Sequence, residues 1–206
     1  MFGEVKSAFS ENRLAIFSSV AILFISLFLG YALQPYLYSY FNPIVEDITE
    51  QVQSGVIQLT FKDIFLNNIG IVFQMFIYGM GFCFSALLLA FNGFFAGYYI
   101  ACSNDLFATL LLIVPHGIFE FSSCILACAS GFVLFNFIYK FLRALWMQDD
   151  DEAILKSLSN SFHESFDKLK QAIILLVVAS LLMVIAGFVE VYLTVPIAEF
   201  VLSVLS

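Results

Sequence analysis

Long runs of apolar residues without a charge constrain this chain more than any other feature. The clearest run is Leu14 to Leu33, twenty residues that end at Gln34-Pro35. A helix of about 20 apolar residues crosses a hydrocarbon core of about 30 Å. Hydrophobic residues make up 62% of the chain, charged residues only 12%, and the mean hydropathy is +0.98. These values exclude a soluble globular domain, so we expect an integral membrane protein.

Further apolar runs predict that the chain crosses the membrane several times. A length of 206 residues leaves room for a single membrane domain, residues 1–206, with short loops between its spans. Pro196 closes the last apolar run. We predict an all-α bundle of about five transmembrane helices at residues 14–33, 69–91, 93–114, 115–143 and 172–195.

Two helix-breaking positions set the boundaries of the third span. Asn92-Gly93 is predicted to end the second span, and Pro115 to begin the fourth, because proline disfavours helical geometry in the residue before it. A single helix from Leu106 to Leu142 would be roughly 55 Å long, which exceeds the bilayer core. The third span is then either broken into two half-helices near Ser103 or closed by a tight hairpin with Asp105 at the surface.

Two polar segments between the spans predict amphipathic helices at the membrane surface, Tyr36–Asn67 and Ala153–Gln171. Apolar residues recur in both at helical spacing. They are Ile44, Val45, Ile48, Val52, Val56 and Ile57 in the first segment, and Ile154, Leu155, Leu158, Phe162, Phe166 and Leu169 in the second.

The positive charges predict the orientation. Lys6 and Arg13 precede the first span, and five of the eight cations lie near the second polar segment: Lys140, Arg143, Lys156, Lys168 and Lys170. Cytoplasmic loops of membrane proteins carry such an excess. We therefore expect a multi-pass protein of the cell membrane with a cytoplasmic N-terminus and an outer C-terminus. Met1–Arg13 shows no Ala-x-Ala-like cleavage site and is expected to stay attached.

His116 and Glu120 stand out because they interrupt a membrane-grade apolar stretch. An ionisable side chain at bilayer depth costs at least about 2.5–3.5 kcal/mol, so it needs a protein interior, water or a partner. Their spacing of four residues places them on one helix face. We expect both to face the bundle interior and to bond to Asn67 and Asn68, since these amides begin the second span on the same side of the membrane.

Three roles remain open for the His116 and Glu120 pair. It can lock helices together, it can relay a proton, or it can form part of a metal site. Zinc requires three or four ligands, and Glu190 is the remaining intramembrane candidate, because His163 falls in the inner polar segment. The structural lock is the interpretation that we favour, with no cofactor.

Other sequence features indicate packing or solvation rather than chemistry. The chain has neither His-Glu-x-x-His nor Gly-x-Ser-x-Gly, so we predict no catalytic residues. A net charge of −8 argues against nucleic acid as a partner, and the run Asp149–Glu152 is expected to be a solvated loop. Small residues spaced by four predict close helix packing within the chain, with dimerisation as the alternative. They are Gly93 and Gly97, then Ser123, Ala127 and Gly131, and the four cysteines Cys83, Cys102, Cys124 and Cys128 are likewise expected to be packing residues.

The order of polar motifs along the chain resembles the stage II sporulation protein M family. Phe65-Leu66-Asn67-Asn68 precedes a span, Asn92-Gly93 follows with Gly97, and Pro115-His116-Gly117-Ile118-Phe119-Glu120 opens a helix rich in small residues. By this similarity the motif positions are Asn67, Asn68, Asn92, Gly93, Pro115, His116, Gly117 and Glu120.

The resemblance implies a function without an active site. In endospore formers the family member is a multi-span scaffold that holds two peptidoglycan-degrading partners at the septum, and most relatives have no established role. We therefore expect a non-enzymatic membrane scaffold with membrane or cell-envelope proteins as partners, and a homo-oligomer as a further candidate assembly. The alternative is a small transporter or channel subunit that uses the polar site at His116 and Glu120.

Overall fold

The computed structural model describes residues 2–54, 61–81, 83–146 and 154–205, and these residues form helices joined by short turns. The helices are α1 (Phe2–Glu11), α2 (Arg13–Gln53), α3 (Phe61–Tyr78), α4 (Cys83–Cys102), α5 (Leu106–Trp146), α6 (Ile154–Tyr192) and α7 (Thr194–Leu205). The acidic run Asp149–Glu152 and the predicted apolar positions Val56 and Ile57 lie outside the described residues.

Five helices are long and apolar enough to cross a membrane, so the predicted all-α membrane bundle is confirmed. The membrane-spanning segments are Arg13–Pro43, Lys62–Gly81, Cys83–Cys102, Leu106–Arg143 and Ser165–Tyr192. Because their number is odd, α1 and α7 lie at opposite ends of the bundle. We refer to these two ends as the α1 end and the α7 end.

Helices α5 and α6 make the most extensive contact between any two of the described helices, and they form the centre of the bundle. In the most apolar window of α5, 56% of the residues are buried, against 17% for the span that contains α3. Ser123 on α5 donates a hydrogen bond of 2.7 Å to the carbonyl of Ala179 on α6, and Ala127 and Ala179 are fully buried. Small side chains let the two backbones approach, which drives helix association in lipid through van der Waals contact.

Glycines allow the backbones of α2 and α4 to approach closely in the same way. A Cβ atom on Gly97 would lie 2.0 Å from the carbonyl oxygen of Leu27, and one on Gly30 would lie 2.0 Å from that of Phe94. A Cβ atom on Gly93 would lie 2.3 Å from the hydroxyl oxygen of Ser26 on α2. The prediction that Gly93 and Gly97 mediate packing within the chain therefore holds, because no side chain fits between these backbones.

The break predicted at Asn92-Gly93 was wrong, and with it the boundaries of the second and third spans. The chain turns instead at Gly79–Gly81, a short 3₁₀ turn, and α4 runs unbroken through residues 92 and 93. Asn92 donates its side-chain amide to the Leu88 carbonyl, 2.9 Å away in the same helix. Gly79 turns tightly against Gly131 of α5, where an added Cβ atom would lie 2.2 Å from the Gly131 Cα atom.

The helix start predicted at Pro115 was also wrong, since Pro115 lies inside the 41-residue helix α5. Membrane helices tolerate proline where neighbouring helices or local adjustments satisfy the freed carbonyl. The third span ends at Cys102, and Ser103–Asp105 forms the tight hairpin that was one of the two alternatives. Asp105 begins α5 by accepting a hydrogen bond of 3.0 Å from the backbone N–H of Ala108.

The described parts of both predicted amphipathic segments are helical but continuous with membrane spans. In the first segment, residues 36–53 belong to α2 and residues 61–67 to α3, and the second segment belongs to α6 from Ile154 onwards. Phe41 contacts Tyr98 at a ring distance of 5.4 Å although Gly30 already contacts Phe94, so α2 must bend. Pro35 inside α2 accounts for the bend, because it removes a backbone hydrogen bond.

The fifth span ends earlier than Pro196 indicated. Helix α6 stops at Tyr192, and α7 begins at Thr194 with Pro196 in its first turn. The first turn of a helix accepts proline, because the N–H groups there have no partner within the helix. The chain therefore has a further apolar helix after its last span.

Candidate functional site

The polar site at the α7 end is built from three helices. Pro115, His116 and Glu120 come from α5, Glu190 from the last turn of α6, and Thr194 from the start of α7. His116, Glu120 and Glu190 are all half-buried, and Thr194 is buried. The short connection at Leu193 holds α7 beside α5, and this brings Thr194 to His116.

The imidazole of His116 bonds to the hydroxyl of Thr194. The Nδ1 atom lies 3.3 Å from the threonine oxygen, and that hydroxyl donates its own hydrogen to the Val189 carbonyl at 3.1 Å. Because its single hydrogen is already used, the threonine oxygen accepts, and Nδ1 of His116 is the donor. This contact ties α5 to the junction of α6 and α7, so His116 forms an interhelical bond as predicted, although with a different partner.

The charges of Glu120 on α5 and Glu190 on α6 interact, and Glu120 also interacts electrostatically with the buried thiol of Cys124. The described residues hold no group of three or more His, Cys, Asp or Glu side chains that could bind a metal ion. His116, Glu120 and Glu190 do not form such a group, so the structure gives the metal-site interpretation no support.

Asn67 and Asn68 are not partners of this site, and that prediction was wrong. Asn67 donates its side-chain amide to Asn68 at 3.3 Å, and both lie on α3. The true partner, Thr194, follows Tyr192 in a stretch that looks like the end of a span. Threonine is common at helix starts, and Thr194, the first residue of α7, is the sequence signal that could have indicated a new helix there.

The remaining motif residues have structural roles or none. Gly93 is required by the approach of α2, and Asn92 bonds within α4. Gly117 is buried, but an added Cβ atom would only touch Ile113 at 3.4 Å, an ordinary van der Waals contact. Gly117 therefore supports no close approach between helix backbones.

The four cysteines are free thiols, but only two of them are buried as expected for packing residues. Cys124 and Cys128 are buried in α5, whereas Cys83 is exposed at the start of α4. Cys102 lies 3.6 Å from the side-chain nitrogen of Gln34. No described pair of cysteines forms a disulfide.

A second polar cluster at the α1 end was not predicted. Asn12 and Gln171 are buried, and the Asn12 amide donates to Gln171 Oε1 at 2.8 Å. Gln171 in turn donates to Glu11 at 2.8 Å, and Lys168 donates to the same Gln171 oxygen at 2.7 Å. The cluster joins α1 and the start of α2 to α6. Its members lie about 160 residues apart in sequence, so local patterns carry no sign of it.

Glu11 is the acidic member of that cluster and lies outside the membrane-spanning segments. Hydrogen bonds from Ser7, Gln171 and Lys168 to the charged carboxylate lower its pKa to about 2. Lys170 lowers the pKa of Glu4 in the same region through a hydrogen bond and its charge. The acidic residues of α1 are thus fixed against basic residues of α6.

A cavity of about 620 Å³ lies between α2, α4 and α5 at the α1 end. Its walls are mostly apolar, and its polar lining residues include Asn12, Ser18 and Asn136. This cavity is not lined by His116, Glu120 or Glu190, which lie at the α7 end.

Comparisons with known proteins agree with the resemblance drawn from the motifs. A family model described as Stage II sporulation protein M matches residues 14–195, from the first to the last membrane-spanning segment. An uncharacterized protein of Methanocaldococcus jannaschii is 32% identical over 152 residues, which cover 71% of this chain and 78% of that protein. No solved structure matches the chain. This chain belongs to the stage II sporulation protein M family.

Proposed function

We propose that this chain is a non-enzymatic scaffold of the cell membrane that recruits cell-envelope proteins. Its N-terminus is cytoplasmic and its C-terminus lies outside. The observation that carries the proposal is the use made of the motif residues. His116 bonds α5 to α7, Gly93 seats α4 on α2, and Asn92 bonds within its own helix. Motif residues that make contacts between and within helices suit a protein that serves as a rigid platform for others.

The second half of α2 offers a surface for such partners. Glu46, Asp47 and Glu50 are exposed there, and the chain has no Lys or Arg from Leu14 to Phe61. Asn42 donates a hydrogen bond of 2.6 Å to Glu46, which holds one carboxylate in place. A partner with a Lys- or Arg-rich segment next to its membrane helix has the complementary charge, which favours association and discriminates against acidic partners.

The competing function is a transporter or channel subunit, and the electrostatic interaction between Glu120 and Glu190 is the observation that favours it. Paired acidic side chains at bilayer depth are typical of ion and proton pathways. The cavity of about 620 Å³ lies at the opposite end of the bundle and is lined by neither glutamate, and that supports the scaffold over the transporter.

Quantitative cross-linking in native membranes tests the proposal. The wild-type chain is compared with E46Q/D47N/E50Q, which keeps the shape of each side chain and removes its charge. The matched control is E199Q, another exposed glutamate, on α7. We expect a defined set of envelope proteins to copurify with the wild type and with E199Q, and to fall several-fold with the triple variant.

The same experiment has a clear contradicting outcome. If no copurifying protein depends on the three carboxylates, the acidic surface is not where partners bind. If, in addition, purified protein moves protons or another solute across liposomes and E120Q abolishes the flux, the scaffold is wrong and the transporter is right.

A further inference from the structure

Helix α3 presents polar groups to the lipid. Asn67 and Gln74 are exposed on this helix, and a Cβ atom on Gly70 would meet nothing within 4 Å. At 100° per residue these three positions share one face with the exposed Ile77. Val72, Met75 and Gly79, which are buried, lie on the opposite face. The polar face of α3 therefore points away from the rest of the chain.

Gln74 lies too deep in its span to be at the membrane surface. The span runs from Lys62 to Gly81, so Gln74 lies roughly 18 Å from one end and roughly 10 Å from the other at 1.5 Å per residue. Among the residues that the structure describes, none bonds to its amide group. An amide in hydrocarbon without a hydrogen bond is unfavourable, which calls for a partner from another molecule.

Several other polar side chains in the spans bond within the chain. Ser122 and Ser180 donate to carbonyls of their own helices, and Ser123 donates to α6. Asn92 likewise bonds to Leu88. Each is satisfied inside the chain, so the exposed amide of Gln74 needs an explanation of its own.

A second copy of this chain fits the polar face better than an unrelated partner. A carboxamide donates and accepts, so two glutamines related by a two-fold axis satisfy one another. Gly70 supplies the same recess on both copies, which allows the close approach that polar and small residues mediate in membranes. From Leu66 to Tyr78 the helix carries no charge that would call for an oppositely charged partner.

We propose that the chain forms a homodimer through α3, with Gln74 of each copy bonded to Gln74 of the other and Gly70 at the crossing point. Both copies have the same orientation in the membrane, so the two α3 helices run parallel about an axis along the membrane normal. This face is distinct from the small-residue motifs of α4 and α5, which are used within the chain.

Single-molecule photobleaching of the full chain in liposomes measures the dimer directly. We expect wild-type protein to dimerise at low protein-to-lipid ratios and to bleach in two steps. Q74L and G70L should each weaken the dimer by about tenfold, the size of one interhelical polar or packing contact in a membrane. Q74N keeps the amide and should retain more of the dimer than Q74L. The control F188L changes an exposed residue on α6 and should leave the dimer unchanged.

Cross-linking provides a second measurement that does not depend on a disruptive change. In a C83S background, which removes the exposed cysteine, I77C should form a disulfide-linked dimer on mild oxidation, and F188C should not. The proposal is overturned if the wild type is monomeric at every dilution, which would leave lipid or a different protein opposite Gln74. A dimer that Q74L and G70L do not weaken, or that cross-links through F188C instead, overturns it as well.

Discussion

The Nδ1 atom of His116 lies 3.3 Å from the hydroxyl oxygen of Thr194, and this contact joins the central helix α5 to the last helix α7. Thr194 is buried, and its hydroxyl also donates to the Val189 carbonyl at 3.1 Å. The most conspicuous histidine of the sequence is thus a helix contact. Its partner is a residue that the sequence presented as part of a span.

We expect T194V to loosen α7, since it removes the acceptor of His116 and keeps the shape of the side chain. The expected loss is about 1 kcal/mol, the net contribution of one hydrogen bond. Faster amide hydrogen exchange in α7 is the measurement. S122A removes a bond within α5 and should leave α7 unchanged. If H116A and T194V loosen α7 additively, the two side chains do not act through a shared contact.

Glycine substitutions should separate the contacts that need glycine from the one that does not. G97A places a Cβ atom 2.0 Å from the Leu27 carbonyl and should destabilise the protein by about 1–3 kcal/mol, as overpacking does. G117A meets only ordinary contacts and should have little effect, although Gly117 belongs to the family motif. Thermal unfolding in detergent compares the two, and equal losses would contradict the α2 and α4 interface.

The attachment of α1 should weaken in acid. The folded-state pKa of Glu11 is lowered to about 2 from an ordinary value of 4.5, so its charged form favours the folded state. That contribution is complete above about pH 4.5 and is lost as the pH falls towards 2. We expect the protease sensitivity of α1 to rise across this window and to rise less in E11Q, which lacks the titrating group. An identical pH profile for the two proteins would contradict the role of Glu11.

The sequence predicted the class of the fold well, because the apolar runs are long and the bilayer fixes how long a span must be. The helix boundaries predicted from the sequence were inaccurate. Asn92-Gly93 and Pro115 are breakers in isolation, yet both lie inside continuous helices, whereas the real turn at Gly79–Gly81 looks like the interior of a span. Boundaries inside a membrane depend on which backbones meet, and that is not a local property.

The candidate site was predicted in part for the same reason. His116 and Glu120 were identified from the energetic penalty of a polar group in lipid, which depends on composition alone. Their partners Thr194 and Glu190 depend on how α6 and α7 return to α5, which spacing within one helix does not reveal. The cluster of Asn12 and Gln171 joins residues that are distant in sequence, and it was missed because no local pattern indicates such a contact.

The position of the two chain ends tests the account most directly, since the outer acidic surface and the proposed scaffold both depend on five spans. S7C and S203C, each in a C83S background, are treated with a membrane-impermeant maleimide on intact cells. Residue 7 lies in α1 and residue 203 in α7. The account predicts that S203C reacts on intact cells and that S7C reacts only after permeabilisation. Labelling of both positions from the same side would contradict it.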